Sequence, residues 1–143
     1  LAMSLVATGW GVEAVWFAIA STTKAMVTAG ILILVDEGKF EEASDVLVRL
    51  PEDQEIQPVL MMKLAQGYYN SDRMEETKAI LDRTIRDHPD EAIAYYFRGL
   101  TELNLNEVEG AREDMLKFLE LAPDHAEAEA ARGILEYLPT QDE

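Results

Sequence analysis

The chain reads as an all-α protein, a stack of antiparallel helical hairpins closed by a C-terminal capping helix, and three features of its 143 residues predict this. A repeat of 34 residues runs through it without gaps. Ala, Leu, Glu and Met are abundant while glycine and proline are few, a mixture that favours helix. Apolar residues recur at the spacing of helix faces, and no segment is a good candidate for a strand.

The repeat shows in six columns. Proline recurs at Pro89 and Pro123, each followed by an acid, Asp90 and Asp124. Small residues recur at Ala65, Gly99 and Gly133, and again at Ala43, Thr77 and Ala111. Larger apolar residues keep step at Phe40, Met74 and Val108 and at Leu47, Leu81 and Met115, with Glu41, Glu75 and Glu109 in the same register. Antiparallel helices approach closely only where side chains are short, so the small columns mark the crossings inside a unit. The larger residues fill the space towards the next unit, because one hairpin cannot bury its apolar face alone.

Helices are expected at roughly 22–36, 40–50, 57–70, 74–87, 91–104, 108–121 and 125–138. The first begins with Ser21 as N-cap and Thr22 and Thr23 in the first turn. The second carries Phe40, Ala43 and Leu47 and is cut short by Pro51. The third places Met61, Leu64, Ala65 and Tyr68 on one face, and the fourth does the same with Met74, Thr77, Leu81, Thr84 and Ile85. Pro89 and Pro123 stop the fourth and sixth helices, and Asp90 and Asp124 are placed to cap the fifth and seventh. Within each hairpin the turn falls at Gly38, Asp72 or Asn106, all types that tolerate the left-handed conformation ending a helix.

Composition narrows the function. The formal charge is −16, with three basic and six acidic residues in 1–50 and nine and 22 in 51–143. Nucleic acid is a poor partner for such a surface, which favours solubility and basic or neutral partners. No cysteine is present, so thiol redox chemistry, thiolate metal sites and disulfides are excluded. No glycine-rich phosphate loop occurs, and no cofactor is expected. His88 and His125 fall in turns between units rather than on a shared face with other ligands. The run Glu52-Asp53-Gln54-Glu55 lacks the spacing of a calcium loop and reads as a solvated linker.

The whole pattern resembles the tetratricopeptide repeat, a 34-residue helical hairpin with small residues in both helices and proline near its end. On that resemblance residues 22–57 form a degenerate first repeat keeping Gly38, Phe40 and Ala43. Residues 58–91 form the second, through Leu64, Ala65, Tyr68 and Pro89; residues 92–125 form the third, through Tyr95, Gly99, Ala111 and Pro123. Residues 126–143 supply the capping helix and tail. Arg98 and Glu102 depart from the family by standing at usually apolar positions, a pair repeated at Arg132 and Glu136. At i, i+4 the members of each pair can meet, so these faces are expected to be wetter and the fifth helix rotated. The resemblance implies a right-handed solenoid with a concave groove that binds a peptide, a helix or a partner domain. Its lining would be Val59, Met62, Gln66, Tyr69 and Asn70, then Ile93, Tyr96, Leu100, Leu103 and Asn104. None of the ten is basic, so the groove is expected to take apolar or basic partners rather than a C-terminal carboxylate.

A second, local resemblance points elsewhere. Residues 17–24, Phe-Ala-Ile-Ala-Ser-Thr-Thr-Lys, resemble the Ser-x-x-Lys helix of serine beta-lactamases and penicillin-binding enzymes, extended by Leu-Val-Asp-Glu-Gly-Lys at 34–39. That resemblance would make Ser21 a nucleophile and Lys24 its base. No Lys-Thr-Gly strand follows and the remaining chain is committed to helix, so the scaffold reading stands and the hydrolase-associated module is its alternative.

Residues 1–20 carry a single charge, Glu13, with Trp10, Trp16 and Phe17. Residues 1–21 form a separate hydrophobic segment open to three readings: a packing segment over the array, a membrane anchor, or a processed signal. The start at Leu1 suggests a fragment or a processed chain.

Overall fold

A computed structural model describes residues 24–50 and 56–139. Among the described residues there are seven helices and no strand: α1 Lys24–Asp36, α2 Phe40–Arg49, α3 Pro58–Asn70, α4 Met74–Asp87, α5 Ala92–Asn104, α6 Val108–Leu121 and α7 Ala128–Tyr137. The chain is all-α, as the periodicity predicts. Ser21, the hydrophobic segment 1–20 and the acidic run at 52–55 lie outside the described residues, and Lys24 is the first residue of α1. The chain divides into two compact units, residues 1–67 and 68–143.

In the first unit α1 and α2 form a hairpin around Ile31, Leu34, Ala43, Val46 and Leu47, all fully buried or nearly so. Leu50, the residue before Pro51, takes the extended conformation that a following proline imposes, and α2 ends there. Leu60, Met61, Leu64 and Ala65 bury one face of α3. Gly67 lies so close to Phe40 that a Cβ there would fall 2.2 Å from the ring.

In the second unit α5 lies between α4 and α6, and α7 packs on α6. The close approach of α5 and α6 is at the small columns: a Cβ on Gly99 would sit 3.3 Å from the Ala111 carbonyl and 2.9 Å from Met115 Cε. Around it Tyr95, Tyr96, Met115, Phe118, Ala128 and Ala131 form one core, with the Tyr96 and Phe118 rings 5.1 Å apart. The Tyr95 hydroxyl donates to the Pro89 carbonyl at 2.9 Å and ties α5 to the preceding turn.

All three hairpin turns share one construction. Gly38, Asp72 and Asn106 have φ of +73°, +60° and +61°. The turn residue donates to a carbonyl three back, and the next residue to one five back: Lys39 to Leu34 at 2.8 Å, Arg73 to Tyr68 at 3.0 Å, Glu107 to Glu102 at 2.8 Å. That pairing satisfies carbonyls a helix end would leave orphaned. The same residues then start the next helix, their carbonyls accepting from Ala43, Thr77 and Ala111.

Three expectations need correction. Asp90 and Asp124 do not cap helices: Glu91 and Glu127 precede α5 and α7, and neither makes a side-chain cap. The chain turns through residues 123–127 first, so α7 begins at Ala128 rather than near 125. Gly133 marks no crossing, since a Cβ there would meet nothing within 4 Å.

Arg98 and Glu102 also behave differently from the expected wet pair. Glu102 is 5 % exposed and buried. Arg98 clasps Asp114 of α6 with two hydrogen bonds of 2.6 and 2.7 Å and reaches Asp82 of α4 at 2.8 Å. Glu102 turns to Lys78 at 3.2 Å instead. Arg132 and Glu136 are exposed as expected, with Arg132 donating to the Pro123 carbonyl.

Candidate functional site

The ten candidate residues lie on two helices, α3 and α5, and divide between the two units. In the first unit Val59, Met62 and Gln66 follow one another along α3 at helical spacing. Val59 is 61 % exposed, Met62 half-buried and Gln66 exposed. Val59 opens into a pocket of about 240 Å³ lined by Thr28, Leu32, Gln57, Val59, Leu60 and Lys63. Its walls are mainly apolar, and the Lys63 ammonium stands 3.7 Å from Asp36, which partly offsets its charge.

The repeat contained the signal for two of the unforeseen pocket residues. Thr28 and Leu32 precede Met62 and Gln66 by one period, so they are the first-repeat counterparts of residues already singled out. Lys63 and Leu60 carried no such signal, because they fall between the expected groove positions.

In the second unit Tyr69 and Asn70 end α3, while Ile93, Tyr96, Leu100, Leu103 and Asn104 run along one side of α5. Ile93, Leu100, Leu103 and Tyr69 are half-buried; Asn70 and Asn104 are exposed. Tyr96 departs from the expected lining: at 9 % exposure its ring belongs to the core with Phe118 and Met115. Burial pushes its phenol pKa up, and Glu127 and Tyr69 push it further, which puts the phenol within electrostatic reach of Tyr69. Asn104 Nδ2 donates to the Tyr69 hydroxyl at 3.1 Å and to the Leu100 carbonyl at 2.9 Å. The second unit thus joins Tyr69, Leu100 and Asn104 through hydrogen bonds.

Chemically this surface is apolar with hydroxyl and carboxamide groups at its edge. Such a surface suits contact with another chain: apolar side chains supply burial, and neutral polar groups supply direction. Among the described residues no three His, Asp or Glu side chains are grouped to hold a metal ion. None of the described helices is long and apolar enough to cross a membrane.

Comparisons with known proteins agree with this architecture. A family model described as tetratricopeptide repeat matches residues 64–136. RNA polymerase II-associated protein 3 of Rattus norvegicus is 29 % identical over 92 residues, which are 64 % of this chain but 14 % of that relative. Two solved structures share the fold. One is the first TPR of Spaghetti (RPAP3) bound to the HSP90 peptide SRMEEVD, at 23 % identity and a TM-score of 0.61, covering 82 % of this chain and 94 % of that one. The other is the first TPR domain of the human RPAP3 protein, at 23 % identity and a TM-score of 0.60, covering 79 % and 90 %.

Proposed function

The chain belongs to the tetratricopeptide repeat family, and from that premise we propose that it is a protein-interaction scaffold, not an enzyme, with a surface for a peptide or partner domain on α3 in the first unit and another on α5 in the second. Its repeats are residues 22–57, 58–91 and 92–125, with 126–143 as cap and tail. The observation that carries the reading is Val59, 61 % exposed at the mouth of an apolar pocket of about 240 Å³. A helix that presents Val59 with Leu32 and Leu60 beside it offers burial to a partner's apolar side chain.

The partner's chemistry follows from the lining. None of Val59, Met62, Gln66, Tyr69, Asn70, Ile93, Leu100, Leu103 and Asn104 carries charge, and the chain as a whole is strongly acidic. An apolar or basic peptide therefore suits it, and nucleic acid does not. The peptide held by the Spaghetti domain supports a peptide as the kind of ligand, but its Glu-Glu-Val-Asp ending is acidic. The hydrolase alternative, resting on Ser21 and Lys24, draws no support from the helical fold or the family match.

Selection from a random peptide display library against the full chain tests the reading. Selected peptides should be rich in apolar and basic residues, and Val59→Asp should weaken them about tenfold with the melting temperature unchanged. Selection of acidic C-terminal peptides whose binding fades as salt is raised would overturn it.

A further inference from the structure

Arg98, Gly99 and Glu102 of α5 recur one repeat later as Arg132, Gly133 and Glu136 of α7. On α5 these three residues form the face that α6 covers. A Cβ on Gly99 would meet the Ala111 carbonyl at 3.3 Å and Asp114 Cβ at 3.4 Å, and Arg98 clasps the Asp114 carboxylate. Gly110 of α6 comes so near Glu102 that a Cβ there would fall 2.8 Å from its carboxylate. On α7 the same face is uncovered. A Cβ on Gly133 would meet nothing within 4 Å, and Arg132 and Glu136 are exposed. Among the described residues neither makes an ion pair; Arg132 donates to the Pro123 carbonyl and keeps further N–H groups to donate. On α6, Leu116 stands where α4 has Asp82, the residue that borders Arg98, and it is 54 % exposed. The residues after α7 are not built for a hairpin turn. Leu138 is extended, and Arg112 of α6 donates to its carbonyl at 2.8 Å. The counterpart of the turn residues Gly38, Asp72 and Asn106 is Thr140, a β-branched type unsuited to positive φ.

We propose that the Arg132–Gly133–Glu136 face of α7 docks a helix of a partner protein, seated as α6 is seated on α5. The partner helix carries a small residue against Gly133 and, three residues later, a carboxylate that pairs with Arg132. Ala111 and Asp114 supply that pattern, Ala-x-x-Asp, within the chain itself. The small residue lets the backbones approach, and the carboxylate fixes the register through a charge-assisted hydrogen bond. Leu116 offers an apolar shoulder for the partner's next large side chain. Glu129 stands where α5 has Tyr95, so the contact is concentrated on the later half of α7. Glu136 and the acidic surface around it favour Lys and Arg on the other faces of the partner helix. A second copy of this chain does not fit, because its own Ala111 and Asp114 are already buried. The proposal goes beyond the scaffold reading above and uses none of the residues assigned there to the peptide.

The probe is an acetylated, amidated peptide of the α6 sequence, Val108–Leu121, with Glu109→Lys, Glu113→Lys and Glu120→Lys; it keeps Ala111 and Asp114 and is basic elsewhere. Titrated into the full chain and followed by NMR, it should bind and shift the Gly133 amide and the Arg132 side-chain signals. Gly133→Leu fills the notch and should weaken binding about tenfold. Leucine is the better helix former, so the melting temperature of that variant should be unchanged or higher. Arg132→Glu should also weaken binding about tenfold. Asp114→Lys in the peptide should do the same to the parent chain, although it makes the peptide more basic. Combining those two changes should restore most of the affinity, because the ion pair is then reversed rather than lost. Val59→Asp should leave binding unchanged, which separates this face from the peptide surface of the first unit. Failure of the peptide to bind, or of the charge exchange to restore binding, would overturn the proposal. So would tighter binding of the Asp114→Lys peptide to the parent chain, since net charge alone would then be the attraction.

Discussion

Asp114 is 4 % exposed, and the Arg98 guanidinium meets its carboxylate with two hydrogen bonds of 2.6 and 2.7 Å. Removing one member of so buried a pair strands the other. Arg98→Ala should lower stability by about 3 kcal/mol, while Arg98→Leu with Asp114→Leu should recover most of the loss; chemical denaturation of the three variants checks this. Glu102 follows the opposite logic. Burial raises its carboxyl pKa, the neighbouring Asp114 raises it further, and Lys78 and Arg98 only partly offset them. A raised folded-state value means that the stabilising contribution is present at pH below the ordinary carboxylate value and fades as pH rises through the raised one. Glu102→Gln, neutral at every pH, should therefore raise the melting temperature at pH 7, with the gain narrowing as pH approaches 4. Equal gains at both pH values would show that the ionised form is not the destabilising one. Residue types alone placed Arg98 and Glu102 as mutual partners at i, i+4. Only the packing of α4 and α6 against α5 supplied the better ones, Asp114, Asp82 and Lys78.

At the scale of the element, hairpin turns were legible because their chemistry is local. A residue that must reach φ near +60° has to be glycine, or an Asx type that tolerates it, and the chain places Gly38, Asp72 and Asn106 there at intervals of one repeat. Asn106→Ala should cost about 1–2 kcal/mol, and Asn106→Gly should be neutral or stabilising. Thermal melts in which alanine and glycine behave alike would show that the turn does not need the left-handed region. The start of α5 was legible to within a residue, but the residue that precedes it and the start of α7 were not, for a physical reason. Proline followed by aspartate is a helix-start signal, but the chain makes a further turn first, closed by Glu91 N–H to the His88 carbonyl at 3.1 Å and His125 N–H to the Ala122 carbonyl at 3.2 Å. The capping signal is weaker than the demand that α5 and α7 meet α6 where Gly99, Ala128 and Ala131 allow contact.

For the molecule as a whole, the close approach of α5 and α6 is the feature on which the second unit depends. Ala111 is fully buried, and its carbonyl lies 3.3 Å from where a Cβ on Gly99 would be. Ala111→Trp should cost about 3 kcal/mol by overpacking, seen as a lower midpoint in a circular dichroism melt; an unchanged midpoint would misplace the crossing. The all-α class, the repeat of 34, the turn positions and the small columns at Ala43, Thr77 and Ala111 were determined by the sequence alone. Each follows from backbone preference or from a side-chain volume that recurs at fixed spacing, and neither requires knowledge of the neighbour. Tertiary structure alone decided that Tyr96 is core rather than surface, that Gly67 exists to admit the Phe40 ring, and that Thr28 and Leu32 share a pocket with Val59. It alone also decided that Asn104 is oriented by Tyr69. Periodicity can assign a residue to one face of a helix. What that face meets depends on the second helix, and distance along the chain carries no record of it.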